Sequence, residues 1–135
     1  MTIEISTALG TARLQAVLDQ LDAGAGPARL RLYTEPRTAL GVTITATLIT
    51  EVALAEPSGT IAGAELTLSA PDVGTVAATG TPTWGVFVNG DGAPCLSAPV
   101  VVLAPGDAVV AGAICLQVPV LYAGGEVRAL SLTLG

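Results

Sequence analysis

The chain has 135 residues, of which 51% are hydrophobic, 12% charged and 3% aromatic, with 16 Gly, 9 Pro and a formal net charge of −6. That length suits one domain; the mean hydropathy of +0.70 excludes a disordered chain, and five Arg without a Lys on an acidic background exclude a nucleic-acid partner. His is absent and Cys occurs twice, so the usual zinc, haem and histidine-base sites lack their residues.

Residues 1–7 carry neither positive charge nor an apolar run, so no secretory signal is expected and the mature chain is expected to begin here. Residues 6–23 read as the one helix. Ser6 or Thr7 serves as N-cap, and Leu14, Val17, Leu18 and Leu21 follow the i, i+3, i+4, i+7 spacing of an apolar docking stripe, with Asp19 and Asp22 off it. Gly24 supplies the permissive residue just past the end. Gly10 weakens the first turn by about 1 kcal/mol, so the helix must gain its stability by docking.

In residues 28–34, Arg29, Arg31 and Tyr33 alternate with Leu30 and Leu32, which predicts a strand with the leucines inside. Glu35, Pro36 and Arg37 stop it. Residues 42–55 read as a long β-branched strand whose alternation changes phase near Leu48 and Ile49, where a bulge or short break restores one inner face. A turn at 56–59 and a strand over 64–69 follow, then a turn at 71–74 and a weak strand at 75–79.

Residues 83–88 run into Asn89, Gly90, Asp91 and Gly92, a tight-turn sequence that predicts a hairpin, with Pro94 placing the returning arm at an edge or strand start. Further strands are expected over 100–103, 107–118 and 127–134. The stretch 108–125 is apolar enough to imitate a membrane span, but Gly112, Pro119, Gly124 and Gly125 within it favour two buried strands joined by a turn, so no membrane partner is expected. The expectation is a single domain over 1–135, mainly β: an antiparallel β-sandwich or barrel of about eight short strands (28–134) with one amino-terminal α-helix (6–23).

Chemistry finds few residues to work with. Without His or Lys, a nucleophile has only an acidic residue or the terminal amine as base, and the eleven acids are scattered over turns and strand ends, so no enzyme, cofactor or metal is expected. Asp91 sits in a calcium-like run that lacks the remaining oxygen ligands and reads as a hairpin tip. Cys95 and Cys115 read as buried small hydrophobes or as a cross-strand disulfide. Trp84 and Phe87 have opposite parity on one strand, so one of them faces the core and the other meets a partner or the helix. Arg29, Arg31 and Arg37 gather three of the five positive charges; together with Tyr33 and Trp84 they are the interface residues expected from sequence, the arginines either anchoring an acidic neighbour or forming a solvated face.

Residues 6–24 and 28–34, with 52–59, 64–68 and 83–92, resemble a group of small virion structural proteins of tailed bacteriophages and prophages, over about half the chain. The resemblance implies a non-catalytic part of the particle: a capsid decoration or cement protein on the outer capsid surface, or a tail, neck or fibre-associated component. It further implies the major capsid protein or another virion protein as partner, self-association as a dimer or trimer, and residence in the host cytoplasm during assembly. A carbohydrate-binding module is the alternative from another class, and its sugar platform would draw on only four aromatic residues.

Overall fold

The computed structural model describes residues 4, 6–55, 58–62, 65–69, 74–104, 106–108, 110, 112–116, 120–127 and 131–134. Helix α1 spans Thr7–Leu21. Ser6 is its N-cap, the hydroxyl accepting from the Leu9 N–H at 3.1 Å, which satisfies one of the unpaired amides of the first turn. Leu14, Leu18 and Leu21 are buried and Val17 is half-buried against the same core, so the stripe docks as expected. Each buried leucine contributes about 1.5–3 kcal/mol. Past the C-cap Asp22, Gly24 takes a positive φ of 93° and lets the chain reverse. The Asp22 carboxylate accepts from both the N–H (3.0 Å) and the hydroxyl (2.6 Å) of Ser58, tying the end of the helix to the sheet.

The strands are β1 (Arg29–Tyr33), β2 (Leu48–Ala53), β3 (Gly59–Ala62), β4 (Glu65–Ser69), β5 (Gly74–Thr75), β6 (Trp84–Val88), β7 (Pro94–Val102), β8 (Ile114–Leu116), β9 (Glu126–Val127) and β10 (Ser131–Leu134). Eight of them form one curled sheet in the order β2-β1-β6-β7-β8-β10-β4-β3, and β5 and β9 form a separate ribbon that lies by β2. Helix α1 lies against β3, β4 and β7. The fold is thus mainly β with one amino-terminal helix, as expected.

The sheet is mixed and not wholly antiparallel as expected, because β7 and β8 run parallel, Val100 opposite Ile114 and Val102 opposite Leu116. The cause is the length of β7. Its first half pairs antiparallel with β6 and its second half with β8, so one continuous strand replaces the two separate pieces expected around 93–97 and 100–103. Pro99 sits at the changeover, where a residue without an N–H costs no ladder bond.

Several strand boundaries also differ. The long strand expected over 42–55 is only β2; residues 42–47 belong to a loop, and the phase change is a bulge that leaves Ile49 unmatched between Leu48 (opposite Tyr33) and Thr50 (opposite Leu32). The bulge lets the consecutive Ile49 and Thr50 both be buried. β3 forms where a turn was read up to Gly59, and residue 64, at the start of the expected strand over 64–69, lies outside the described residues. The weak strand at 75–79 is reduced to β5 and a bridge from Val76 to Thr50. Of the expected strand over 107–118 only Ile114–Leu116 is extended, with 109, 111 and 117–118 outside the described residues, and 127–134 divides into β9 and β10 with 128–130 outside them. No helix among the described residues is long and apolar enough to cross a membrane.

The hairpin between β6 and β7 forms where it was read. Asn89 organises it: its side-chain oxygen accepts from the Asp91 and Ala93 N–H groups (both 3.0 Å), its carbonyl accepts from Gly92, and Gly92 takes a φ of +85°. The tip rests on the turn after α1, with the Gly90 N–H donating to the Ala23 carbonyl at 3.0 Å.

Candidate interaction face

Strand parity decides what lies on the outside of the β2-β1-β6-β7 half. Leu30 lies opposite Phe87 and Leu32 opposite Gly85, both facing the main core that α1 completes. The other face of the same ladder presents Arg29, Arg31 and Tyr33 from β1, Glu51 from β2, and Trp84, Val86 and Val88 from β6.

That outer face has its own small apolar cluster. Tyr33, Trp84, Val86 and Val88 are buried together, with Ile44 and Ala46 packed on them. The Tyr33 and Trp84 rings stack with centroids 5.0 Å apart. What covers them is the connection between β1 and β2, residues 34–47, which leaves the sheet and returns as a closed loop. Its base is pinned twice, by the Thr34 N–H donating to the Thr47 carbonyl (3.1 Å) and the Thr47 N–H donating to the Thr34 hydroxyl (3.3 Å). The Trp84 indole N–H donates to the Thr34 carbonyl at 2.7 Å, fixing the ring beneath the loop. Sequence parity correctly separated Trp84 from Phe87. As interface residues, however, Trp84 (1% exposed) and Tyr33 (7%) are enclosed by this chain's own loop and do not meet solvent.

The arginines do. Arg31 Nε lies 2.5 Å from Glu51 Oε2, directly across the β1–β2 pair, and Arg29 Nη1 lies 3.5 Å from Glu51 Oε1. The hydrogen bond to Glu51 raises the Arg31 pKa, against desolvation that lowers it. One glutamate thus serves two arginines, the second loosely. Arg37, on the loop, donates to the Ser97 hydroxyl on β7 at 3.2 Å. Three arginines stand here against Glu35 and Glu51, a surplus of one positive charge on a chain whose net charge is −6. Beside them Leu40, Val42 and Leu48 are exposed, and under the loop lies a half-open cavity of about 210 Å³ lined by Leu40, Val42, Ile44, Trp84, Val86 and Pro94. Glu51, Leu40 and Val42 were not singled out from sequence. The parity of Glu51 relative to Arg31 emerges only once the β1–β2 register is fixed, and residues 42–47 are β-branched enough to read as strand.

A second concavity, of about 270 Å³, lies between α1 and β7, lined by Ala16, Val17, Gln20, Cys95 and Leu96. A bulge causes it: Phe87 pairs with Leu96 and Val88 with Pro94, so Cys95 is the extra residue and both it and Leu96 pack on the core near the helix. Burial raises the Cys95 thiol above its ordinary 9.0, opposed by a backbone hydrogen bond at Asn89. Both cysteines are free thiols, Cys115 buried and Cys95 half-buried. Among the described residues no three His, Cys, Asp or Glu side chains gather as metal ligands.

No family model matches this chain, and neither the curated proteins nor the solved structures contain a significant match to it.

Proposed function

We propose that this protein is a non-catalytic structural component of a tailed-phage particle, a capsid decoration or cement protein that binds the outer surface of the head shell and stabilises it. The observation that carries the reading is the outer face of β2-β1-β6-β7, where Arg29, Arg31 and Arg37 adjoin the exposed Leu40, Val42 and Leu48. Apolar contact area with a few charges beside it is the composition of a protein-binding surface, and the surplus of positive charge suits an acidic patch on the shell. The segments that carry the phage resemblance support it too, since those over 28–34, 52–59 and 83–92 include β1, the end of β2 and β6 with its hairpin, three elements that build this face. A cement protein gains nothing from a reactive centre; it needs a stiff body and a contact surface, and the core supplies the first.

Shells assembled without this chain and then mixed with it test the reading. Wild-type protein is expected to co-sediment with the shells and to raise the temperature at which they release DNA. Arg29→Ala, which removes only the looser of the two contacts to Glu51, should weaken binding by about tenfold. Failure of the wild-type chain to bind such shells while binding isolated tails or necks would replace the head assignment with a tail or neck one.

A further inference from the structure

The Asn89-Gly90 pair that turns the β6–β7 hairpin also carries covalent chemistry. In an Asn-Gly sequence the glycine amide nitrogen, once hydroxide has taken its proton, attacks the asparagine Cγ, and no side chain on the glycine hinders the approach. The N–Cγ bond forms, the Cγ–Nδ2 bond breaks, and ammonia leaves with a proton from water. Water then opens the cyclic imide at either carbonyl, giving aspartate or isoaspartate. The two reacting groups are held in opposite ways here. Asn89 Oδ1 accepts from the Asp91 and Ala93 N–H groups, both at 3.0 Å, and such a pair of amides stabilises the negative charge that develops on this oxygen as Cγ is attacked. The nucleophile is withheld. The Gly90 N–H donates to the Ala23 carbonyl at 3.0 Å, so loss of its proton would leave an anion facing that oxygen's lone pairs. Contact is close on both sides of this joint: a methyl group on Gly90 would stand 2.7 Å from the Gly26 carbonyl oxygen, and one on Gly24 would stand 2.7 Å from Asp91 Cγ and N.

We infer that Asn89 is a latent deamidation site, primed by its own turn and held unreactive by the docking of the hairpin tip on the turn after α1. Local opening of this joint, with the rest of the fold intact, releases the Gly90 nitrogen and starts the reaction. The step is one-way. Isoaspartate adds a methylene to the backbone between residues 89 and 90, which moves the Gly90 N–H off the Ala23 carbonyl, and either product places a negative charge two residues from Asp91. Aspartate, by contrast, keeps a side-chain oxygen for the Asp91 and Ala93 N–H groups, so it is isoaspartate that unlatches the tip. Such gating is a property of the isolated chain and stands apart from where in a particle the protein serves.

Peptide mapping by mass spectrometry of the full-length chain, held in mildly alkaline buffer, tests it. Folded wild type should convert Asn89 at least about tenfold more slowly than the same chain in denaturant at the same pH, and the products should include isoaspartate. Gly24→Ala presses a methyl group on Asp91 and forces a side chain into a φ of 93°, which loosens the joint without touching the reacting pair. With the circular dichroism spectrum unchanged, this variant should recover most of the lost rate. Should Gly24→Ala fail to fold, wild type in sub-denaturing urea gives the same reading: conversion of Asn89 should follow hydrogen exchange of the Gly90 N–H and outpace global unfolding. Folded wild type that converts as fast as the denatured chain would overturn the inference. So would a folded Gly24→Ala chain whose Gly90 N–H exchanges freely while Asn89 persists, conversion that follows global unfolding alone, or a product that is aspartate without isoaspartate.

Discussion

A methyl group on Gly85 would stand 2.7 Å from Ile114 Cδ1 and 3.0 Å from both the Arg31 carbonyl oxygen and Leu32 Cδ2. The missing side chain lets β8 send Ile114 across the inside of β6, and Ala98 opposite Gly85 keeps that crossing narrow. Gly85→Ala is expected to cost about 1–3 kcal/mol, measured by denaturant unfolding, because the carbonyl cannot move without disturbing the β1–β6 ladder. Burial also governs the Cys95 thiol. Its folded thiol holds the proton more tightly than an unfolded one, so near neutral pH it should react with iodoacetamide more slowly than in the denatured chain. For an acid whose folded pKa is raised, the stabilisation is present below the ordinary value of 9.0 and is lost as pH rises through the folded value. The stability difference between wild type and Cys95→Ala should therefore shrink in alkaline solution; a constant difference across that range would refute the burial argument. Neither feature was legible in the sequence, because each depends on which atoms a distant strand brings close.

At the scale of elements, what is local was legible. The α1 stripe and its Ser6 cap, the phase change at Leu48 and Ile49, and the hairpin at Asn89–Gly92 all rest on spacings of a few residues, and each stands where the spacing put it. The loop over 34–47 was not legible, since Val42, Thr43, Ile44 and Thr45 have strand propensity and only the position of Trp84 on the outer face gives the loop something to cover. Leu18→Asp tests the docked helix. It places a charge in a core whose other members include Leu66, Leu68 and Leu132, and should remove more than about 4 kcal/mol, so that soluble folded protein is lost. Thermal unfolding identical to wild type would mean that the stripe does not dock.

For the whole molecule, the mixed sheet was the part beyond reach. The parallel pairing of β7 with β8 joins residues that alternation alone cannot match, and a nine-residue strand serving both halves of the sheet looks in sequence like two short ones split by Pro99. The candidate face was half legible: Arg29, Arg31 and Arg37 were readable as a cluster, whereas the burial of Tyr33 and Trp84 and the exposure of Leu40 and Val42 follow from how the loop folds back. Low charge acquires a physical sense at this scale, because a surface crowded with hydrated side chains would resist being covered by neighbours. Under the function proposed above, this covering happens on a phage head. Cryo-electron microscopy of the particle that contains this chain measures it most directly. Density for the fold is expected repeated over the outer shell, with the face bearing Arg29 and Arg31 turned to the capsomers; density confined to the region below the portal would overturn the head assignment.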